Sequence, residues 1–200
     1  MLCLTRPTDP RWTAIALGDL DAVLVDHAHC EIKAAMNALS LAARAPTGEV
    51  ARALGELAEE EVRHFREVLA ELGRRGLALG LPPPDRYAAE LRAIAHRTRL
   101  GGRSPTETLV DRLLVATLIE ARSCERFRLL SDALAARGDA TLAAFYDELF
   151  AAEARHYRVL LDLAIATNGD EGAVRSRLAE LATEEGTLTQ SLGETAAIHG

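Results

Sequence analysis

LAEEEVRHFREVL, residues Leu57 to Leu69, and LFAAEARHYRVLL, residues Leu149 to Leu161, each set a histidine three positions after a glutamate inside an apolar-periodic run. The chain has only six histidines, so two such pairs in separate segments call for a chemical reason. A helix turns about 100° per residue, which leaves residues three apart about 60° apart in angle and about 4.5 Å apart along the axis. Glu61 and His64 can therefore reach one common point, and so can Glu153 and His156. Glu61 lies in phase with Leu54, Leu57, Val68 and Leu72, and Glu153 with Leu142, Leu149, Leu160 and Leu163. These are the stripes that face a core. A single Glu-x-x-His on a helix is usually an exposed polar pair; two in phase with core stripes are not so explained.

The partner segments supply more acid. Glu31 falls on the stripe of Leu24, Ala28, Ala35 and Ala38, and Glu120 on that of Leu113, Thr117, Cys124 and Phe127. A lone carboxylate in a dry interior costs several kcal/mol and would take up a proton instead. Four carboxylates and two histidines in one core need something strongly cationic among them, and two divalent metal ions meet that need. One Glu on each of two helices and a Glu-x-x-His on each of two others is the ligand set of di-iron carboxylate bundles. The candidate metal ligands are Glu31, Glu61, His64, Glu120, Glu153 and His156. Glu60, four before His64, competes with Glu61 by spacing, but its counterpart in the second motif is Ala152, which favours Glu61.

Around these motifs the chain reads as helix, short turn, helix, long connection, helix, short turn, helix. The first long helix is expected from about Gly18 to Arg44, ended by Pro46-Thr47-Gly48, and the second from about Glu49 to Arg74, ended by Gly73-Arg74-Arg75-Gly76. Leu81-Pro82-Pro83-Pro84 forbids helix, and Asp85 caps a short one to about His96. Ser104, Pro105 and Glu107 spell a capping box at the start of the third long helix, which runs to about Arg137. Gly138-Asp139 turns the chain into a fourth, ended by Asn168-Gly169-Asp170. A fifth helix is expected to about Glu185, and the polar tail from Gly186 is expected to be frayed or loosely docked. Short turns make each pair antiparallel, so the expected fold is all-α: a ferritin-like four-helix bundle with one long crossover and additional short helices. One domain spans 1–200, with the bundle at about 18–167, the connection at about 76–104 and the terminal helix and tail at about 170–200.

Composition bounds the rest. Aromatics are 4% of residues, so the core must be built from Leu, Ala and Val, which favours close-packed helices over a β-sandwich. A net charge of −7 argues against a surface that binds nucleic acid all over, but not against a local basic patch. Lys33 is the only lysine; the arginine bias suits phosphate binding and equally suits a codon bias toward Ala, Arg and Gly. Cys3, Cys30 and Cys124 contain no CxxC spacing, so neither a disulfide framework nor a structural zinc site is expected, and a cytoplasmic location is. No signal peptide and no transmembrane run is read. His27 and His29 flank Glu31, either as partners that hold a metal ligand from outside or as ordinary satisfied histidines. Arg63 and Arg155 point away from the expected metals. Tyr146 and Tyr157 are candidate cavity residues.

The stretches LVDHAHCEIKAA (Leu24–Ala35), EEEVRHFREVL (Glu59–Leu69), LVDRLLVATLIEARSCERF (Leu109–Phe127) and EARHY (Glu153–Tyr157) resemble the tRNA hydroxylases that act on 2-methylthio-isopentenyl-adenosine beside the anticodon. The resemblance covers roughly Trp12 to Leu163, with IEARSCERF its most specific part, and matches at all six ligand positions. It implies a non-haem di-iron monooxygenase that inserts one oxygen atom of O2 into an allylic C–H of the isopentenyl group. Two electrons would come from a separate reductase or ferredoxin, because no flavin or nicotinamide motif is visible. Arg97, Arg99 and Arg103, with Arg74 and Arg75 as further candidates, are the expected tRNA phosphate contacts; a solvated loop explains them equally well. The hydroxylase reading expects a monomer or small oligomer and no membrane association. The alternative is an iron-storage or ferroxidase subunit of the bacterioferritin type, which would build a large shell.

Overall fold

The computed structural model describes residues 2–98, 104–193 and 195–199, and its regular elements are helices: α1 (Arg11–Gly18), α2 (Leu20–Ala42), α3 (Gly48–Arg75), α4 (Arg86–Arg97), α5 (Pro105–Ala136), α6 (Ala140–Asn168) and α7 (Glu171–Leu192). Local chemistry sets their ends. Asp19, Thr47, Asp85, Asp139 and Asp170 each accept a hydrogen bond from a first-turn backbone N–H, a contact worth about 1 kcal/mol apiece. The capping box at Ser104 is formed in both directions: Glu107 N donates to Ser104 Oγ at 3.1 Å and Ser104 N to Glu107 Oε2 at 2.9 Å. Helix α3 stops where Gly76 turns left-handed (φ 69°), letting Leu77 N reach back to Leu72 O at 2.9 Å. A side chain other than glycine would be strained there.

Helices α2 and α3 pack as one antiparallel pair and α5 and α6 as another, with α4 in the crossover between them. That is the expected bundle. Helix α5 lies deepest, buried on nearly every side because α1, α4, α6 and α7 also pack on it. Two apolar cores result. One gathers Leu41, Leu54, Leu91, Leu113, Leu118 and Leu160, and the other Trp12, Leu24, Val68, Phe127, Leu142 and Tyr146. Along each bundle helix the sequence crosses from one core to the other at an acidic residue: Glu31 on α2, Glu61 on α3, Glu120 on α5 and Glu153 on α6. The four acids therefore meet in a polar waist between two hydrophobic blocks.

One element is added and one expectation is corrected. The first long helix starts at Leu20, close to the expected Gly18; Asp19 (φ −141°) breaks the chain there, and the short helix α1 precedes it with Trp12 and Ala16 fully buried. The segment from Gly186 is not loose. Helix α7 continues to Leu192, burying Glu185, Leu188 and Thr189, and the following tail is docked. The polar composition misleads because these polar groups are paired inside. Arg122 donates to both Glu185 oxygens, Nε to Oε1 and Nη2 to Oε2, each at 2.9 Å. Tyr87 Oη donates to Glu185 at 2.8 Å, and so does Thr189 Oγ1 at 2.9 Å. In the tail, Trp12 Nε1 donates to Ala197 O (3.1 Å), Arg126 Nη1 to Ile198 O (2.9 Å), and Ile198 N to Asp26 Oδ2 (2.7 Å). Arg122 and Arg126 belong to IEARSCERF, so that segment acts as a clasp for both chain ends, reaching the N-terminal strap through Arg122 Nη2 to Arg6 O at 3.1 Å.

Candidate metal centre

All six expected ligands are buried and meet in the waist. Ligand-type atoms of Glu31, Glu61, His64 and Glu153 lie within 4.8 Å of one another, and so do those of Glu61, Glu120, Glu153 and His156. Glu61 and Glu153 belong to both groups. The halves are therefore interleaved: each Glu-x-x-His glutamate serves its own histidine and also the other pair's. Both histidines turn Nδ1 inward. His64 Nδ1 lies 3.5 Å from Glu31 Oε2, 3.7 Å from Glu61 Oε2 and 3.8 Å from Glu153 Oε1. His156 Nδ1 lies 3.0 Å from Glu61 Oε1 and 3.1 Å from Glu153 Oε2. The two rings are 5.6 Å apart.

Neighbours hold these side chains from outside. His27, fully buried on α2 one turn before Glu31, sits with Nε2 2.7 Å from Glu31 Oε1. Burial pulls its imidazole down to about 4 against the opposing charge of Glu153. It is neutral, and Nε2–H donates to the carboxylate. Glu60 is not a rival to Glu61. It reaches across to α6 and takes the outer nitrogen of His156, Nε2 to Oε2 at 2.8 Å, leaving Nδ1 for the centre. Arg63 and Arg155 lie outside, more than half exposed, beside Glu60 at 3.8 Å. His29 Nε2 meets Leu79 O at 3.1 Å and takes no part in the cluster. Cys124 is buried near the centre, and the Tyr146 hydroxyl is buried without a hydrogen-bond partner, its ring stacked on His27 at 5.5 Å. Tyr157 lies instead beside Cys3.

The electrostatics are unbalanced without a cation. Burial raises the Glu31 carboxyl, helped by the charge of Glu153, and burial with Glu153 raises Glu120 well above the usual range. Burial opposes charge on the histidines, but Glu31 and Glu61 push His64 up to about 10, and Glu153 and Glu61 push His156 up to about 12. Glu31 Oε2, Glu61 Oε1 and His64 Nδ1 are buried and, although charged neighbours lie 3.0 and 3.5 Å away, none makes a hydrogen bond of good geometry. Buried polar atoms are nearly always paired, and three orphans converging on one point in an oxygen-rich set fit a metal centre.

An apolar cleft leads to this cluster. Ala34, Ala38 and Leu41 on α2, Leu57 on α3 and Val115 and Ile119 on α5 wall it, with Glu120 at the inner end. A smaller hollow continues inward past Ile119 and Glu120 to Glu31, Glu61 and Glu153, and the docked tail closes it with Ile198 and His199. His199 is held by Ser123 Oγ (3.0 Å from Nε2) and stacks on Tyr87 at 5.1 Å. Neither tail residue was expected at the site, because an isolated Ile-His in a polar stretch carries no helical period. Among the expected tRNA contacts, Arg97 is exposed at the end of α4, whereas Arg99 and Arg103 lie outside the described residues. Arg74 and Arg75 are both tied to Glu71.

The sequence model of the family described as tRNA-(MS[2]IO[6]A)-hydroxylase (MiaE) matches residues 1–200. The chain belongs to this family of tRNA hydroxylases. It is 38% identical over 194 residues to the tRNA 2-(methylsulfanyl)-N(6)-isopentenyladenosine(37) hydroxylase of Pseudomonas putida, covering 96% of this chain and 89% of that relative. A relative of the same name from Salmonella typhimurium is 35% identical over 122 residues, 60% of this chain and 41% of the relative. Among solved structures, protein 43 with aldehyde deformylating oxygenase activity from Synechococcus superposes with a TM-score of 0.84 at 34% identity, over 100% of this chain and 96% of that one. The fold of this tRNA hydroxylase family member is thus ferritin-like, and its buried Glu/His cluster is compatible with a metal centre. Among the described residues no helix is long and apolar enough to cross a membrane.

Proposed function

We propose that the chain hydroxylates the isopentenyl group of 2-methylthio-isopentenyl-adenosine in the anticodon loop of tRNA, using two iron ions held by Glu31, Glu61, His64, Glu120, Glu153 and His156. The observation that carries the reading is the junction of an apolar cleft with an interleaved carboxylate/histidine cluster in a member of this family. Glu61 and Glu153, common to both groups, would help to hold both ions, with Glu31 and His64 serving one group and Glu120 and His156 the other. Bound iron would supply the reductive activation of O2; one oxygen atom enters the C–H bond, the other leaves as water, and two electrons and two protons are consumed. Those electrons require an external donor, a reductase or ferredoxin.

The chain's own groups do the rest. His27 and Glu60 fix the rotamers of Glu31 and His156, so that ligand atoms stay aimed inward. The aliphatic walls of the cleft accept a prenyl chain and keep bulk water from the reacting carbon. A base in the anticodon loop is within reach because loop bases can be splayed out. Arg97, Arg99 and Arg103 are proposed as phosphate contacts in the connection. We expect a cytoplasmic monomer or small oligomer; family membership does not favour the iron-storage alternative, which needs a large shell. The test is to express the chain in a bacterial host that makes 2-methylthio-isopentenyl-adenosine but not its hydroxylated form. Nucleoside mass spectrometry should then find the hydroxylated product with the native chain and lose it with Glu61→Ala. Absence of product from an iron-loaded, reducible protein rejects the reading.

A further inference from the structure

Three arginines from three different parts of the chain gather at the cleft: Arg92 on α4 and Arg112 on α5, with Arg44, just beyond α2, beside Arg112. Arg92 and Arg112 line the cleft itself. Arg44 and Arg112 converge on one residue, Ser40. Arg44 Nη1 donates to Ser40 O at 2.7 Å and to Ser40 Oγ at 3.0 Å, and Arg112 Nη2 donates to Ser40 Oγ at 3.1 Å. Among the described residues none of the three has a carboxylate partner. Partial burial lowers Arg112, and the charges of Arg44 and Arg92 lower it further, with no acid offsetting them. The contrast with neighbouring cations is plain. Lys33, also at the cleft, faces Asp85 at 3.5 Å, and Arg75 is bound to Glu71 at 2.7 Å.

An acidic chain of net charge −7 has carboxylates to spare, yet leaves three guanidinium groups uncompensated around one opening. Like charges held together cost free energy unless an anion completes them. Three guanidinium groups brought together from the end of α2, α4 and α5 suit a ligand that carries more than one anionic group, and planar guanidinium forks match phosphate oxygens. We propose that Arg44, Arg92 and Arg112 form a phosphate cradle that grips the RNA backbone beside the target base, so that the base's side chain enters the cleft between them. This rests on the tRNA reading above and gives it a docking site at the cleft, one of whose arginines, Arg92, shares α4 with Arg97. The cradle fixes register: a nucleotide whose flanking phosphates sit on the rim presents its base to the cleft, whereas a free nucleoside has nothing to grip.

The test is fluorescence anisotropy of a labelled anticodon stem-loop RNA against iron-loaded protein over a salt series. Arg44→Ala/Arg92→Ala/Arg112→Ala should weaken binding at least about tenfold, and should flatten the slope of log affinity on log salt by about 2, near 0.7 per lost single-strand phosphate contact. Arg92→Glu, on an exposed position, should weaken binding by itself, so the outcome does not depend on the triple variant folding. Removing Arg11 and Arg175, surface arginines each paired with a carboxylate, should leave affinity and slope close to wild type. RNA binding that survives the triple variant with unchanged slope overturns the cradle while leaving the hydroxylase reading intact. An equal loss per charge at Arg11 and Arg175 also overturns it, as a nonspecific field effect. Failure of the native chain both to bind RNA and to form the hydroxylated nucleoside overturns the two together.

Discussion

At the scale of single residues, the two histidines of the waist are not equivalent. His156 has its outer nitrogen anchored by Glu60, whereas Ala152 occupies the corresponding place behind His64 on α6. An outer hydrogen bond fixes a ligand's tautomer and aim, and losing it typically costs about 10- to 100-fold in metal affinity. Glu60→Ala should therefore weaken one of two iron sites by about that factor and leave the other near its native affinity, whereas Glu61→Ala, common to both groups, should weaken both. Anaerobic titration with ferrous iron resolves the cases: two separated affinities for Glu60→Ala support the asymmetry, and unchanged tight binding at both sites contradicts it. The six candidate ligands were legible in the sequence because helical phase alone put charge on a core stripe. Glu60 is set aside there in favour of Glu61, but its contact with His156 is not visible in the sequence. Spacing along one helix says which residues share a face, but nothing about a reach of 2.8 Å from α3 to a histidine on α6.

At the scale of elements, the bundle helices and the capping box were readable because their signals are local: an N-cap, a glycine stop, a period of 3.6. The docked tail was not. Thr195 to His199 has no period, and its binding sites are scattered over Trp12, Asp26, Ser123 and Arg126. The tail nevertheless closes the hollow beside the carboxylate/histidine cluster, and its hold is expected to depend on pH. Burial lowers His199 to about 4, opposed by Asp85 and reinforced by Arg126, Arg122 and Lys33; Ser123 and Cys30 also face the ring. A free histidine titrates near 6.5, so the undocked tail binds more protons between those values. Docking is favoured above about pH 6.5 and progressively lost as pH falls toward about 4. Hydrogen exchange of residues 195–199 should accelerate over that window before α7 opens. His199→Phe, which keeps an aromatic ring over Tyr87 but cannot take a proton, should remove the acceleration. Persistence of the same pH response in His199→Phe would assign it to Asp85 or Asp26 instead.

At the scale of the whole molecule, a polar waist between two apolar cores sets stability against metal binding. Each core holds its own end of the bundle, so folding without metal is the expected outcome. The waist then carries four buried carboxylates balanced by two histidines alone. Free metal at a thousandfold excess over its dissociation constant would stabilise the fold by about 4 kcal/mol. For a chain of this size that is a rise in melting temperature on the order of 10 °C. Glu120 separates this account from a purely structural ion-pair network. Burial and the charge of Glu153 raise its carboxyl well above the usual range, which favours the neutral form, so Glu120→Gln is expected to remove little from the metal-free fold. Under the proposed di-iron reading the same change deletes a metal ligand. In chelator, Glu120→Gln should melt within a few degrees of the native chain. With ferrous iron under anaerobic conditions, the native chain should gain on the order of 10 °C and the variant clearly less. An equal loss in both conditions would mean that Glu120 is a structural partner of its neighbours, and that the waist is held by hydrogen bonds and ion pairs instead of metal.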